Sequence, residues 1–139
     1  MLLTEMVPKG ESVDNWTEMV TTQVFLGGVP QRTPAAILEA LSAVWIRNCQ
    51  GAEIQHIRKG TENGYPFAFW MQTCPKNPMT GKPEIALLRA IQGNDSFYVV
   101  KKAWKYAPAD EEIAVWSRFM SGVSVCDSRM KGRECPSVE

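Results

Sequence analysis

The sequence predicts an α+β fold, a mainly antiparallel β-sheet flanked by helices, and three observations predict it. Runs of β-branched and aromatic residues outnumber helical patterns. Most of those runs are joined by short turn-forming segments rather than crossover helices, which favours antiparallel pairing. Two amphipathic stripes supply helices with an apolar face for the sheet to bury. The chain has 139 residues, 45% of them apolar and 22% charged. That suits one domain, residues 1–139, with a real core.

The elements follow in order. Leu2 to Val7 and Asn15 to Phe25 read as strands around the turn Pro8-Lys9-Gly10. Gly27-Gly28-Val29-Pro30 ends the second. Thr33-Pro34 opens a helix, because threonine caps free amides and proline suits the first helical turn. Ile37, Leu38, Leu41, Val44 and Trp45 form its apolar stripe, and Gly51 is placed to end it. Glu53 to Lys59 and Pro66 to Thr73 read as strands, the latter apolar on both faces and therefore interior. Ile85 to Ile91 and Phe97 to Trp104 form a hairpin around the turn formers Gln92 to Ser96. Pro75 to Pro83 holds too much proline for regular structure and reads as an exposed loop. A second helix starts near Pro108 or Asp110, with Asp110, Glu111 and Glu112 at its positive end. Ile113, Trp116, Met120 and Val123 line one side of it. The polar tail runs from Cys126 to Glu139.

The four cysteines are Cys49, Cys74, Cys126 and Cys135, with no C-x-x-C pair among them. The spacing fits neither a zinc ribbon nor a thioredoxin-type site. An even count in a small domain suggests two disulfides and export, against the alternative of four reduced core cysteines in the cytosol. Cys49 ends the first helix and Cys74 the interior strand, so those ends meet when the helix packs on the sheet. Cys126 and Cys135 flank a polar loop. The expected pairs are therefore Cys49–Cys74 and Cys126–Cys135. The start, Met1 to Glu5, lacks the basic and apolar segments of a signal peptide, so an exported chain would be a mature form.

Charge excludes more than it identifies. Fifteen basic and fifteen acidic residues cancel, whereas nucleic-acid binders carry a basic excess. No apolar run reaches the roughly 20 residues that cross a membrane. The single histidine, His56, lies near no nucleophile or metal-ligand spacing, and a structural or surface role with tolerance of substitution is expected. Gly60 to Gly64 and Gly93-Asn94-Asp95 read as turns, lacking phosphate-loop or EF-hand spacing. No catalytic residue, metal site or cofactor is expected. Three features are candidate partner contacts, set against plainer readings as a connecting loop, a solvated strand end and a core residue. Met79, flanked by Lys76 and Lys82, sits in the proline-stiffened loop, where methionine adapts to irregular surfaces. Lys101, Lys102 and Lys105 stand with Trp104 and Tyr106 as a basic-aromatic patch. Trp16 lies in a polar stretch that core packing explains least.

Three segments, GESVDNWTEMVT (Gly10 to Thr21), NGYPFAFWMQTCP (Asn63 to Pro75) and AIQGNDSFYVVKKAWK (Ala90 to Lys105), resemble a family of uncharacterised exported proteins of gram-negative bacteria. The resemblance spans nearly the whole chain and implies that the four cysteine segments are family features. It implies a periplasmic or secreted protein, with type II secretion and virulence in a pathogen as the extended expectation. The order of elements is similar to the PsbP-like fold, an α/β/α sandwich associated with binding and assembly roles. The expected function is an exported, non-enzymatic binding or adaptor protein, monomeric, with a protein or envelope partner. The alternative is a small hydrolase or transferase with an unrecognised site.

Overall fold

A computed structural model describes residues 1–27 and 33–137 of the chain. Six strands form one sheet: β1 (Leu2–Met6), β2 (Glu18–Leu26), β3 (Glu53–Glu62), β4 (Tyr65–Cys74), β5 (Glu84–Gln92) and β6 (Ser96–Trp104). Helix α1 (Pro34–Asn48) lies between β2 and β3, and α2 (Asp110–Ser121) follows β6. The sheet order is β1-β2-β6-β5-β4-β3, and every pairing is antiparallel. Strands β3 to β6 form a meander, and β6 closes against β2. The chain therefore passes over β6, β5 and β4 between β2 and β3, and α1 lies on that crossing.

Strand alternation sorts the core into two faces. One face buries Trp70, Leu88, Phe97 and Val99 with Leu38 of α1. The other buries Phe69, Leu87 and Trp104 with Met120 of α2. Helices thus cover opposite faces, giving the α/β/α layering expected from the sequence. Residues after α2 extend the second layer, where Val123 and Val125 pack on Tyr65, Phe67 and Ile91.

Local chemistry explains the boundaries. Thr33 Oγ1 accepts from the Ala36 amide at 3.1 Å, so the helix starts where the sequence predicts. Its end differs. Cys49 is extended, and Gly51, with φ +81°, sits in the following turn rather than capping the helix. A side chain at Gly51 would also crowd Pro75, 3.3 Å from an added Cβ. Strand β2 starts three residues later than predicted. The Glu11 carboxylate accepts from the Thr17 amide and hydroxyl, which folds residues 11–17 into a knot instead of a strand. Strand β3 runs three residues longer than expected, to Glu62, with a bulge between His56 and Arg58. Only Asn63 (φ 51°) and Gly64 (φ 81°) of the Gly60–Gly64 segment turn, as a two-residue hairpin requires. Helix α2 begins at Asp110. The predicted break at Gly28-Val29-Pro30 and the last two residues of the tail lie outside the described residues.

Both expected disulfides, Cys49–Cys74 and Cys126–Cys135, are present. No described helix is long and apolar enough to cross a membrane.

Candidate functional site

One cross-strand row frames the site. His56, Trp70, Leu88, Lys101, Thr21 and Glu5 are successive direct partners across β3, β4, β5, β6, β2 and β1. Helix α1 lies over the middle of this row, on Trp70 and Leu88. A groove therefore opens on each side of the helix.

The groove over β1, β2 and β6 has a volume of about 770 Å³. Leu41, Val44 and Trp45 of α1 form one wall, Trp16 and Met79 stand at its rim, and Lys101 rises from its floor. The predicted helix stripe is thus split. Leu38 is buried, but Leu41 and Val44 are 39% and 45% exposed, because one helix is narrower than the six-stranded sheet it lies on and leaves them facing the groove. The wall is fixed at its base. Trp45 Nε1 donates to the Thr73 carbonyl at 3.0 Å, and the Cys49–Cys74 disulfide ties the end of α1 to β4.

The Met79 loop is built around Asn77. The Asn77 side chain donates to Glu84 Oε2 at 2.7 Å and accepts from the Met79 amide at 2.9 Å. Its carbonyl accepts from the Gly81 amide at 2.7 Å. Met79 is left 93% exposed at the tip. Lys76 and Lys82 are exposed beside it but do not line the groove.

The predicted basic-aromatic patch does not exist as one surface. Alternation sends Lys101 to the α1 face and Lys102 and Trp104 to the α2 face. Lys102 is 2% exposed, paired to Glu18 at 2.9 Å and set over the Trp116 ring at 4.0 Å. Trp104 is fully buried. Tyr106 extends the same network, its hydroxyl 3.0 Å from Glu18 and 2.8 Å from Glu112. Burial first, then those two carboxylates, holds the Tyr106 phenol well above the ordinary tyrosine range. Lys105 sits on the Trp16 ring at 4.0 Å. Trp16 is half-buried and packs against the α1-side core, so this indole is both a core residue and part of the groove rim.

Of the predicted partner-binding residues, the structure brings together Trp16, Met79 and Lys101. Lys105 lies over the Trp16 ring but, like Lys76 and Lys82, does not line the groove. Lys101 is half-buried with no hydrogen bond or ion pair among the described residues. Burial lowers its ammonium below the ordinary lysine range, against the opposing pull of Glu84 and Glu5. Its Nζ lies 5.7 Å from the centre of the Trp45 ring.

The second groove, about 740 Å³, runs between α1 and β3. His56 lies there, stacked on Trp70 at 4.1 Å and 12°. Among the described residues no three His, Cys, Asp or Glu side chains gather as a metal set. Leu41, Val44 and Trp45 were legible only as core. Their apolar stripe is wider than one helix-sheet contact consumes, and that excess was the available signal.

No protein-family model matches the chain, and no curated protein matches it by sequence. Among solved structures, it is similar to the Ran-binding protein Mog1p of Saccharomyces cerevisiae, at 10% identity over 85% of this chain and 67% of that one, with a TM-score of 0.47.

Proposed function

We propose that this chain is an exported, non-enzymatic binding protein that docks a segment of a partner protein in the groove between α1 and β2. The groove itself carries the reading. Apolar side chains from α1, the Trp16 knot and the Asn77-braced loop converge on one open cleft. Loops held by a rigid scaffold are where binding residues concentrate, and exposed apolar side chains gathered beside polar ones mark interaction surfaces. The Asn77 hydrogen bonds and the Cys49–Cys74 link fix the rim before a partner arrives, which reduces the ordering cost of binding. Export is supported by the two disulfides, which persist in oxidising compartments.

The test is photo-crosslinking in a gram-negative host that exports the protein. A benzophenone amino acid replaces Met79 in one variant and Phe119, exposed on the opposite face, in another. We expect a discrete protein adduct from position 79, none from position 119, and loss of the adduct when Val44→Asp is added. Equal adducts from both positions, or an adduct indifferent to Val44→Asp in a folded variant, would overturn the reading.

A further inference from the structure

Among the described residues, the Lys101 ammonium on the floor of the groove has no hydrogen-bond or ion-pair partner, and this bears on what the groove recognises. Lys101 is flanked on the sheet by Leu88 and Thr21, neither of which can neutralise it. Glu5 also lines the groove but is two strands away along the row, about 10 Å between backbones at normal strand spacing. Glu84 already accepts from Asn77. Neither carboxylate forms an ion pair with Lys101 among the described residues. The wall above it is Leu41, Val44 and Trp45, which displaces water without supplying an acceptor. A half-buried charge in such surroundings is costly until an opposite charge reaches it. Closing the groove with a wholly apolar segment would strip the remaining water from Nζ and leave the charge unpaired, which is strongly unfavourable. Closing it with a segment that carries one carboxylate would satisfy it.

Resting on the groove as the docking site, we infer that Lys101 sets its specificity by pairing with one Asp or Glu side chain of an otherwise apolar partner segment. The surrounding apolar contacts supply area, and the lysine selects against segments that place an apolar or basic residue at that point, which is discrimination by an unpaired charge. Lys101 is suited to this because its head group lies within the groove beside the Trp45 ring, while the exposed Lys76 and Lys82 lie outside it.

The experiment pans a phage-displayed library of random 12-residue peptides against the intact disulfide-bonded protein. The peptides are fused at their C-termini, so the only carboxylates are side chains. Wild type, Lys101→Met, Lys101→Glu and Val44→Asp proteins are compared, each checked for native circular dichroism. We expect wild type to enrich peptides with a single Asp or Glu flanked by apolar residues. Changing that acid to Asn or Gln should weaken binding at least tenfold. Lys101→Met should keep apolar binders and lose the acidic preference, and Lys101→Glu should switch the preference to Lys or Arg. If Lys101→Glu does not fold, the Lys101→Met arm decides. Apolar binders that depend on Val44 but show no acidic enrichment would overturn the role of Lys101 and leave the groove standing. Binders indifferent to Val44→Asp would overturn both.

Discussion

Arg89 places a guanidinium inside the sheet layer facing α2, 1% exposed, with Glu62 as its carboxylate partner among the described residues. It also lies over the Phe67 ring at 4.3 Å, while its Nε and Nη1 have no hydrogen-bond partner among the described residues. Removing one member of a buried pair leaves the other charge stranded, which costs more than removing both. Glu62 is one-third exposed, so its loss is discounted from the fully buried case. Glu62→Gln should lower unfolding free energy by about 2–3 kcal/mol, and adding Arg89→Met should recover most of it. Urea denaturation of the two variants checks this, and equal stability of the single and double variants would show that the pair is not coupled. None of this was visible in the sequence. Arg89 lies within the alternating pattern of β5, but its partner comes from β3, two strands away in the sheet, and only the tertiary pairing brings it near. The split of Lys101 from Lys102 was legible in principle, because adjacent strand residues face opposite ways.

At the scale of elements, most of the fold was readable and most boundaries were nearly so. Period and turn chemistry located both helices and all six strands, because the residues that favour each element also face its core. The sequence held no local signal for strand order. That order follows from α1 carrying the chain across the sheet, and the two grooves follow from that crossing. Element α2 is fastened by side chains rather than by area alone. Lys102 of β6, Glu18 of β2, Tyr106 and Glu112 form one hydrogen-bonded network, and Glu112 also accepts from Trp104 Nε1 at 3.0 Å. The hydrogen bond from Lys102 lowers the Glu18 pKa below the usual 4.5, with Tyr106 assisting and burial opposing. A carboxylate depressed in the native state contributes stability that is complete above its unfolded value and is lost as pH falls through its native value. Stability should therefore decline as pH drops below about 4.5, and Glu18→Gln should flatten that part of the profile. The measurement is urea midpoint against pH, followed by fluorescence, since Trp104 and Trp116 pack beside the network. An unchanged slope in the variant would assign the acid sensitivity to other carboxylates.

For the whole molecule, the two disulfides act on different parts of the stability. Cys49–Cys74 closes a loop with a sequence separation of 25 and joins the end of α1 to the interior strand β4. The loop it closes contains β3 and its hairpin turn, so the bridge constrains a long stretch of unfolded chain. It is also buried at both ends, where the replacing side chains must still pack. Cys126–Cys135 has a separation of 9, and both of its cysteines are exposed. It holds the tail after α2, whose Val123 and Val125 cover Tyr65 and Phe67. Since stabilisation grows with the logarithm of loop length, the first bridge should contribute about 3.5 kcal/mol and the second about 2.5 kcal/mol. Replacing Cys49 and Cys74 by alanine together should lower the global unfolding midpoint and also weaken docking at the groove, because the helix wall loses its anchor. Replacing Cys126 and Cys135 should lower the midpoint less and leave the groove unaffected. Thermal unfolding paired with binding of a groove-selected peptide separates the two effects. If both double variants lose stability equally and bind alike, the helix wall is held by Trp45 and packing alone, and the anchoring role of Cys49–Cys74 is refuted.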